Sequence, residues 1–179
     1  MKLFYLLTLF SFSLGLAQIK PTSLTDVSRA LKSTAALSEQ SLFKHIPLTS
    51  IGPTVMSGRV ADLEVNPKDP TEFYVGYASG GVWHTKNNGT TFTPIMDNAP
   101  SINVGDIGIH WPSRTIWVGT GENISSRSSY SGIGILKTTN NGKTWELKGL
   151  KDAHHFGRIL VHPTNQNEIV VGVTGSLYS

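Results

Sequence analysis

The chain has 179 residues, which is the length of roughly one domain. Charged residues make up 15% of it, below the roughly 25% of soluble domains, so the composition excludes a charged disordered protein. The net charge of +3 comes from 15 basic and 12 acidic residues without a Lys or Arg run, so we expect no nucleic-acid partner. The lack of cysteine excludes a disulfide scaffold, thiolate metal sites and a cysteine nucleophile. We expect no cofactor.

The first 17 residues are predicted to form a secretory signal peptide. A short basic start precedes an apolar run over residues 3–16, and Gly15 and Ala17 supply the small residues of a cleavage site. The run is short for a membrane span, and no second apolar run of spanning length follows. We therefore expect an exported mature chain that begins at Gln18, has no membrane span, and is secreted, periplasmic or on the cell surface. The alternative is an uncleaved anchor.

A polar leader occupies residues 18–46, and Leu24 to Leu42 is predicted to form a short amphipathic helix. From Pro47 onward the pattern changes to short alternating apolar runs separated by Gly, Pro and Asn. We therefore divide the chain into a signal peptide at 1–17, a leader at 18–46 and a repeating region at 47–179.

The repeating region contains a unit that recurs. Strands are predicted at 58–67, 73–76, 81–85 and 91–95, then at 104–112, 115–119, 134–138 and 144–147, and then at 157–163 and 169–172. Four antiparallel strands recurring at roughly 45–50 residues are typical of a β-propeller blade. The predicted fold is an all-β propeller fragment with two complete four-stranded blades, about 50–97 and 103–149, and part of a third at 155–179. Because a propeller closes into a ring, we expect further blades in a longer chain.

The hairpins between the third and fourth strands share one pattern. They read TKNNGTTF over Thr85–Phe92 and TTNNGKTW over Thr138–Trp145. The Asn-Gly pairs suit a type I′ turn, in which both central residues have positive φ. The pattern is similar to the Asp-box of BNR repeats, with Asn where the box usually has Asp, and Asn still accepts a backbone N–H. This resemblance implies structural turns made by Thr85, Asn87, Gly89, Phe92, Thr138, Asn140, Gly142 and Trp145.

A wider resemblance rests on SIGP at 50–53, MSGRV at 56–60 and ASGGVW at 78–83. These segments resemble the start of bacterial exported propellers of the sortilin N-terminal domain group, which are often labelled glycosyl hydrolase-like. The resemblance covers about residues 47–179. It implies a propeller fold, but not a single chemistry, because Asp-boxes occur alike in sialidases, xyloglucanase-type glycoside hydrolases and sortilin-type receptors.

The loop at 121–131 is the main candidate for ligand binding. It is predicted to lie opposite the Asn-Gly hairpins, on the face where the loops between second and third strands meet the blade connections. The first blade has only residues 77–80 in the same place. Glu122, Arg127 and Tyr130 are predicted to bind a sugar or peptide by charge, hydrogen bonding and ring stacking. The alternative is a solvated Ser-rich loop without a ligand.

The residues expected for glycoside hydrolysis are not evident. A glycosidase needs two carboxylates flanking the bond, and the candidates Asp97, Asp106, Glu122 and Asp152 are not paired by the sequence. In xyloglucanase-type enzymes an Asp precedes the Gly-Gly of the first blade, and the segment at 78–81 has no carboxylate. Residues 156–159 do not match the Phe-Arg-Ile-Pro segment of sialidases. Catalytic residues are therefore unassigned, and this fragment is favoured as a non-enzyme.

Two further pairs of residues have simple interpretations. Arg59 and Arg158 each follow a glycine at the start of a strand, so we expect them at the same place in two blades. There we favour a hydrogen bond to carbonyls between blades over a basic lining of the central channel. His154 and His155 are adjacent on an extended segment and point to opposite faces, so we expect no metal site.

The leading hypothesis is an exported binding or interaction module for a protein or glycan, whose other partner is the remaining set of blades. The alternative is a glycoside hydrolase with most catalytic residues in downstream blades. A third possibility is a purely structural part of a larger cell-surface protein.

Overall fold

The computed structural model of the chain describes residues 22–47, 58–124 and 129–175. Within these ranges, helix α1 spans Leu24–Gln40 and precedes ten strands. The first four-stranded sheet consists of β1 (Val60–Val65), β2 (Phe73–Tyr77), β3 (Gly81–Thr85) and β4 (Thr93–Pro94). The second consists of β5 (Val104–His110), β6 (Thr115–Gly121), β7 (Ser131–Thr138) and β8 (Glu146–Leu147). A two-stranded sheet follows, made of β9 (Phe156–Val161) and β10 (Ile169–Val173).

The sheets confirm the predicted all-β fold, with two antiparallel four-stranded blades and part of a third. Helix α1 begins at the predicted residue and ends at Gln40, where the prediction ran to Leu42. Its N-cap is Ser23, whose hydroxyl accepts a hydrogen bond from the Asp26 N–H at 3.1 Å. None of its residues is buried, so the helix adds nothing to the core of the blades.

The fourth strands are shorter than the sequence pattern predicts. Strands β4 and β8 have two residues each because the N–H groups just before them are used by the turn. The Thr91 N–H donates to Asn87 Oδ1 at 2.9 Å, and the Thr144 N–H donates to Asn140 Oδ1 at 3.0 Å. A donor that is bonded within its own turn is not available to a neighbouring strand.

The two hairpins are closed by the same set of hydrogen bonds. In the first, the Gly89 N–H donates to Thr85 Oγ1 at 3.0 Å, and in the second the Gly142 N–H donates to Thr138 Oγ1 at 3.0 Å. The Asn and Gly at the centre have positive φ, with values of 55° and 79° in the first turn and 54° and 82° in the second. Phe92 packs edge-on against Phe73, with ring centroids 6.0 Å apart. The Trp145 indole N–H instead donates to the Ile95 carbonyl of the preceding blade at 3.0 Å. The identification of these turns as Asp-boxes stays a prediction.

The blades pack face to face through two apolar clusters. One lies between the first and second blades and includes Val82, Ile107 and Leu136, all fully buried. The other lies between the second and third blades around Phe156 and Ile159. Stacked sheets of this kind bury the inner strand on both faces, so all seven residues of β5 are buried and the strand lacks a simple alternation.

A glycine on each second strand permits this packing. A Cβ added at Gly76 would lie 2.8 Å from Ile107 Cδ1, and one added at Gly119 would lie 2.5 Å from Phe156 Cβ. At Gly172, the equivalent position of the third blade, the nearest atoms belong to its own blade and lie 3.9 Å away. The repeated Val-Gly pair therefore marks where the inner strand of the following blade approaches.

The register of the inner strands corrects one expectation. Asp62 pairs with Gly76, Asp106 with Gly119, and Arg158 with Gly172, so these three residues are equivalent. Arg59 lies three positions earlier than Asp62, and the prediction that Arg59 and Arg158 share a place is wrong. The sequence match failed because the Gly-Arg pair lies at different positions relative to the two inner strands, which a comparison of short motifs does not reveal.

Candidate functional site

The face that carries the 121–131 loop is organised around a buried carboxylate. The Glu122 side chain is 1% exposed and forms an ion pair with Arg59, whose side chain is 42% exposed. Arg59 Nε donates to Glu122 Oε2 at 3.2 Å, and Arg59 Nη2 contacts Oε1. A carboxylate removed from water is favoured only when it is paired in this way. Arg59 directly precedes β1, so this pair joins the first blade to the second.

The third blade contacts the same loop base. The His155 ring donates from Nδ1 to the Glu122 carbonyl at 2.6 Å, and Glu122 forms a parallel bridge with Phe156. The neighbouring His154 lies beside Ser131, with Nδ1 and Oγ 3.2 Å apart. The two histidines therefore have different partners. Among the described residues no group of three His, Cys, Asp or Glu side chains is placed to hold a metal ion.

The end of the loop is held as firmly as its start. Asn103 Nδ2 donates to the Ser131 carbonyl at 3.1 Å, and the Gly132 N–H donates to the His154 carbonyl at 2.7 Å. Gly121 has φ +88°, and a side chain there would collide with the His154 carbonyl. The loop thus leaves and re-enters the second blade at points fixed by the inner-strand starts of all three blades.

The three predicted ligand-binding residues have different surroundings. The Glu122 carboxylate is internal, whereas Tyr130 is 53% exposed at the surface. Ser129, beside Tyr130, is buried and has interaction partners. Arg127 lies outside the described residues. Ligand contact by Glu122, Arg127 and Tyr130 stays a prediction.

A second charged group lies on the inner strands. Asp62 Oδ2 accepts the Ile107 N–H at 3.0 Å, and Asp106 Oδ2 accepts the Ile159 N–H at 2.5 Å. Each of these aspartates therefore bonds the inner strand of the next blade. Arg158 is the third residue of this group. Its Nη1 lies 3.8 Å from Asp62 Oδ1 and 3.6 Å from Asp106 Oδ1.

Two carboxyls in this group have raised pKa values. Burial raises the pKa of Glu64 to about 7, with a further rise from Asp62 and an opposing effect of Arg158. Burial likewise raises the pKa of Asp106 to about 6, helped by Asp62 and opposed by the Ile159 hydrogen bond. Of the four candidate carboxylates, Asp106 and Glu122 are buried in contacts within the fold, and Asp97 and Asp152 are exposed.

Asp62 and Glu64 were not among the carboxylates selected from the sequence. The signal that would have found Asp62 is its equivalence with Asp106 in the repeat, which only strand register makes visible. Glu64 has no acidic counterpart in the second blade, where Gly108 takes its place in the register. Its pKa is raised first by burial and then by Asp62 on the same strand, and burial depends on how the blades pack rather than on a local pattern.

The fold defines the chain as part of a β-propeller. It is similar in structure to an ancestral GH74 enzyme, with a TM-score of 0.50 and 16% sequence identity. The match covers 64% of this chain and 16% of the enzyme's length. No protein-family model matches the chain, and no curated protein matches it in sequence. Within the part of the chain that the structure describes, no helix is both long and apolar enough to cross a membrane.

Proposed function

We propose that this chain belongs to a β-propeller that binds a carbohydrate, or a protein carrying one, on the face of the 121–131 loop. The observation that carries the proposal is the anchoring of this loop to three blades, with the exposed Tyr130 beside the anchor. A loop held on a rigid scaffold presents its side chains with little loss of entropy on binding. The structural similarity to a GH74 glycoside hydrolase supports carbohydrate over other ligand classes.

Each predicted residue has a distinct part in this proposal. The exposed ring of Tyr130 stacks on a sugar, since aromatic faces bind the apolar side of a pyranose. Arg127 donates hydrogen bonds to ligand oxygens. Glu122 acts indirectly, because its buried carboxylate holds Arg59 and fixes the start of the loop.

Titration of the full chain with xyloglucan heptasaccharide, cellohexaose and sialyllactose tests this proposal. We expect Tyr130→Ala to weaken binding roughly tenfold, and Tyr130→Phe to retain it because the ring remains. Phe43→Ala removes an aromatic ring that is 72% exposed on the leader and serves as the matched control. If no saccharide binds, or if Tyr130→Ala binds as tightly as the control, the proposal is wrong.

Glycoside hydrolysis is the second candidate, and the raised pKa of the Glu64 carboxyl favours it. A general acid needs a raised pKa, and Glu64, at about 7, lies beside Asp62 and Asp106. In this alternative, Glu64→Gln abolishes the release of reducing ends from the same oligosaccharides while binding persists. Wild-type chain that releases no reducing ends, or a Glu64→Gln variant that is fully active, would contradict it.

We also infer that the protein is exported and that further blades complete the ring. The signal peptide predicted at 1–17 supports export. The described blades leave apolar side chains exposed on their outer faces, among them Leu63 at 51% and Val170 at 68%. Amino-terminal sequencing of the exported protein tests cleavage after Ala17, since an intact start at Met1 would contradict it.

A further inference from the structure

A polar cleft of about 320 Å³ opens on the hairpin side of the first blade. Its lining consists of His84, Lys86, Asn87, Thr91, Thr93 and Asn141. Strand β3 begins at the loop face and ends at this one, so the cleft lies at the opposite end of the blade from the 121–131 loop. Its volume is at the lower end of the roughly 300–1,000 Å³ of ligand sites, which suits a single sugar ring.

The rear wall of the cleft is fixed by the buried carboxylate of Glu72. Glu72 accepts hydrogen bonds from Arg114 Nη1 at 2.7 Å and from Asn66 Nδ2 at 2.7 Å, and His84 Nε2 lies 3.0 Å away. Burial alone raises the pKa of Glu72, but the bonds from Arg114, Asn66 and His84 outweigh it and lower the pKa to about 2. The ionised carboxylate only accepts, so His84 donates from Nε2.

The protonation state of His84 also determines how its Nδ1 interacts with Asn141. Burial lowers the pKa of His84, so its ring is neutral at pH 7 and Nδ1 is an acceptor. Asn141 Nδ2 lies 3.4 Å from Nδ1, and Asn141 Oδ1 accepts from the Tyr74 hydroxyl at 2.8 Å. The His84 ring also stacks on Tyr74, with centroids 4.0 Å apart and planes 3° from parallel. The wall is therefore preorganised.

The mouth of the cleft carries one positive charge and several neutral polar groups. Lys86 is exposed, and no ion pair among the described residues involves it. The lining contains no carboxylate, and the charge of Glu72 behind it is matched by Arg114. Hydroxyls of Thr91 and Thr93 and the amide of Asn87 complete the lining. This combination suits a ligand with several hydroxyls and one negative charge.

The second blade repeats only part of this lining, because only Asn87 and Thr91 have identical counterparts there, Asn140 and Thr144. By strand register, His84 corresponds to Lys137 and Thr93 corresponds to Glu146. Lys137 Nζ donates to Asn167 Oδ1 at 2.6 Å and lies over the Trp117 ring, so this lysine is already engaged. The hairpin Asn and Thr are common to both blades, whereas His84, Lys86 and Thr93 are particular to the first. A purely structural role of the hairpin does not account for that difference.

We propose that this cleft binds a uronic acid, a sugar whose carboxylate pairs with Lys86 and whose hydroxyls contact the threonine and asparagine side chains. The His84 ring and the Asn141 amide form the rear wall of this site. The site is separate from the carbohydrate site proposed on the loop face, and either one can fail without the other.

The test is titration of the full chain with D-galacturonate, monitored by saturation-transfer NMR, with D-galactose and acetate as comparison probes. We expect Lys86→Ala to weaken galacturonate binding about tenfold, the effect of losing a charged hydrogen bond. Thr93→Glu places the residue of the second blade in the first and is expected to abolish binding by repulsion. Lys143→Ala is the matched control, because Lys143 is an exposed hairpin lysine that does not line the cleft.

Saturable galacturonate binding that is weakened in Lys86→Ala, abolished in Thr93→Glu and kept in Lys143→Ala supports the site. Absence of galacturonate binding to the wild-type chain overturns it, as does equal binding by Lys86→Ala and Lys143→Ala. Acetate binding as tightly as galacturonate overturns the sugar assignment, because the hydroxyl contacts would then contribute nothing. Galacturonate binding that Tyr130→Ala weakens and Lys86→Ala does not would assign the sugar to the loop face and overturn the cleft site.

Discussion

Three equivalent glycines provide a direct test of how the blades pack. Gly119 faces Phe156, which is fully buried, and a Cβ there would lie 2.5 Å from the Phe156 Cβ. Carbon atoms pack best at about 3.5–4.0 Å, so Gly119→Ala requires the second and third blades to separate by about 1 Å. Overpacking of this kind destabilises by about 1–3 kcal/mol. We expect the loss of unfolding free energy in Gly119→Ala to lie at the upper end of this range, because the contacted Phe156 Cβ is bonded directly to the backbone.

The other two glycines should respond less. At Gly76 the nearest atoms are side-chain methyls, Ile107 Cδ1 at 2.8 Å and Val104 Cγ1 at 3.0 Å, which shift more easily than a Cβ, so we expect a loss of about 1 kcal/mol. At Gly172 the nearest atoms are 3.9 Å away, which is ordinary contact. Gly172→Ala is therefore neutral, or stabilises by up to about 1 kcal/mol, because alanine restricts the unfolded chain.

Urea unfolding of the three variants measures this series. With an m value of about 2 kcal/mol/M, a loss of about 2–3 kcal/mol in Gly119→Ala lowers the midpoint by about 1–1.5 M. The expected order of midpoints is Gly172→Ala highest, Gly76→Ala next and Gly119→Ala lowest. Equal midpoints in all three variants, or a Gly172→Ala variant that is the least stable, would refute the inference that each glycine marks the approach of the next blade.

Three other predictions concern charged groups. Arg59→Met leaves the Glu122 carboxylate buried without this partner and should lower the free energy of unfolding by about 2–4 kcal/mol. Adding Glu122→Gln should recover part of that loss. Additive effects of the two substitutions in a double-mutant cycle would contradict the pairing. The lowered pKa of Glu72, about 2, predicts stability that is complete above about pH 5 and lost as the pH falls toward 2, and Glu72→Gln should flatten this acid limb of a pH–stability curve. The raised pKa of Glu64, about 7, has the opposite sign, because the folded state holds the proton more tightly and stability falls as the pH rises from about 4.5 to 7. Glu64→Gln should therefore unfold at a higher temperature than wild type at pH 8 and at the same temperature at pH 4, and equal shifts at both pH values would rule this out.

The strands and turns could be predicted from the sequence. Strands alternate with Gly, Pro and Asn turns, and this pattern located ten strands to within a few residues. The Asn-Gly pairs predicted the tight hairpins because few residues adopt positive φ at two successive positions, as at Asn88 and Gly89. The shortening of β4 and β8 was missed, since it depends on side-chain hydrogen bonds inside the turn.

The residues of the candidate site could be predicted from the sequence only in part. Glu122 was selected as a surface ligand residue, yet its carboxylate lies in the interior against Arg59, which is 63 residues earlier. No local pattern marks such a pair, because burial depends on how three blades meet. The grouping of Asp62, Glu64, Asp106 and Arg158 on the inner strands has the same origin.

By itself, then, the sequence determined the repeat, the strands and the turns, because these follow from periodicity and from the φ preferences of a few residues. Only the tertiary structure decided which side chains share an environment. It set the register that makes Arg158 equivalent to two aspartates, and it placed Glu72, His84 and Asn141 in one network across two blades. The physical reason is that hydrogen bonding and desolvation act over a few ångströms in space, whatever the separation along the chain.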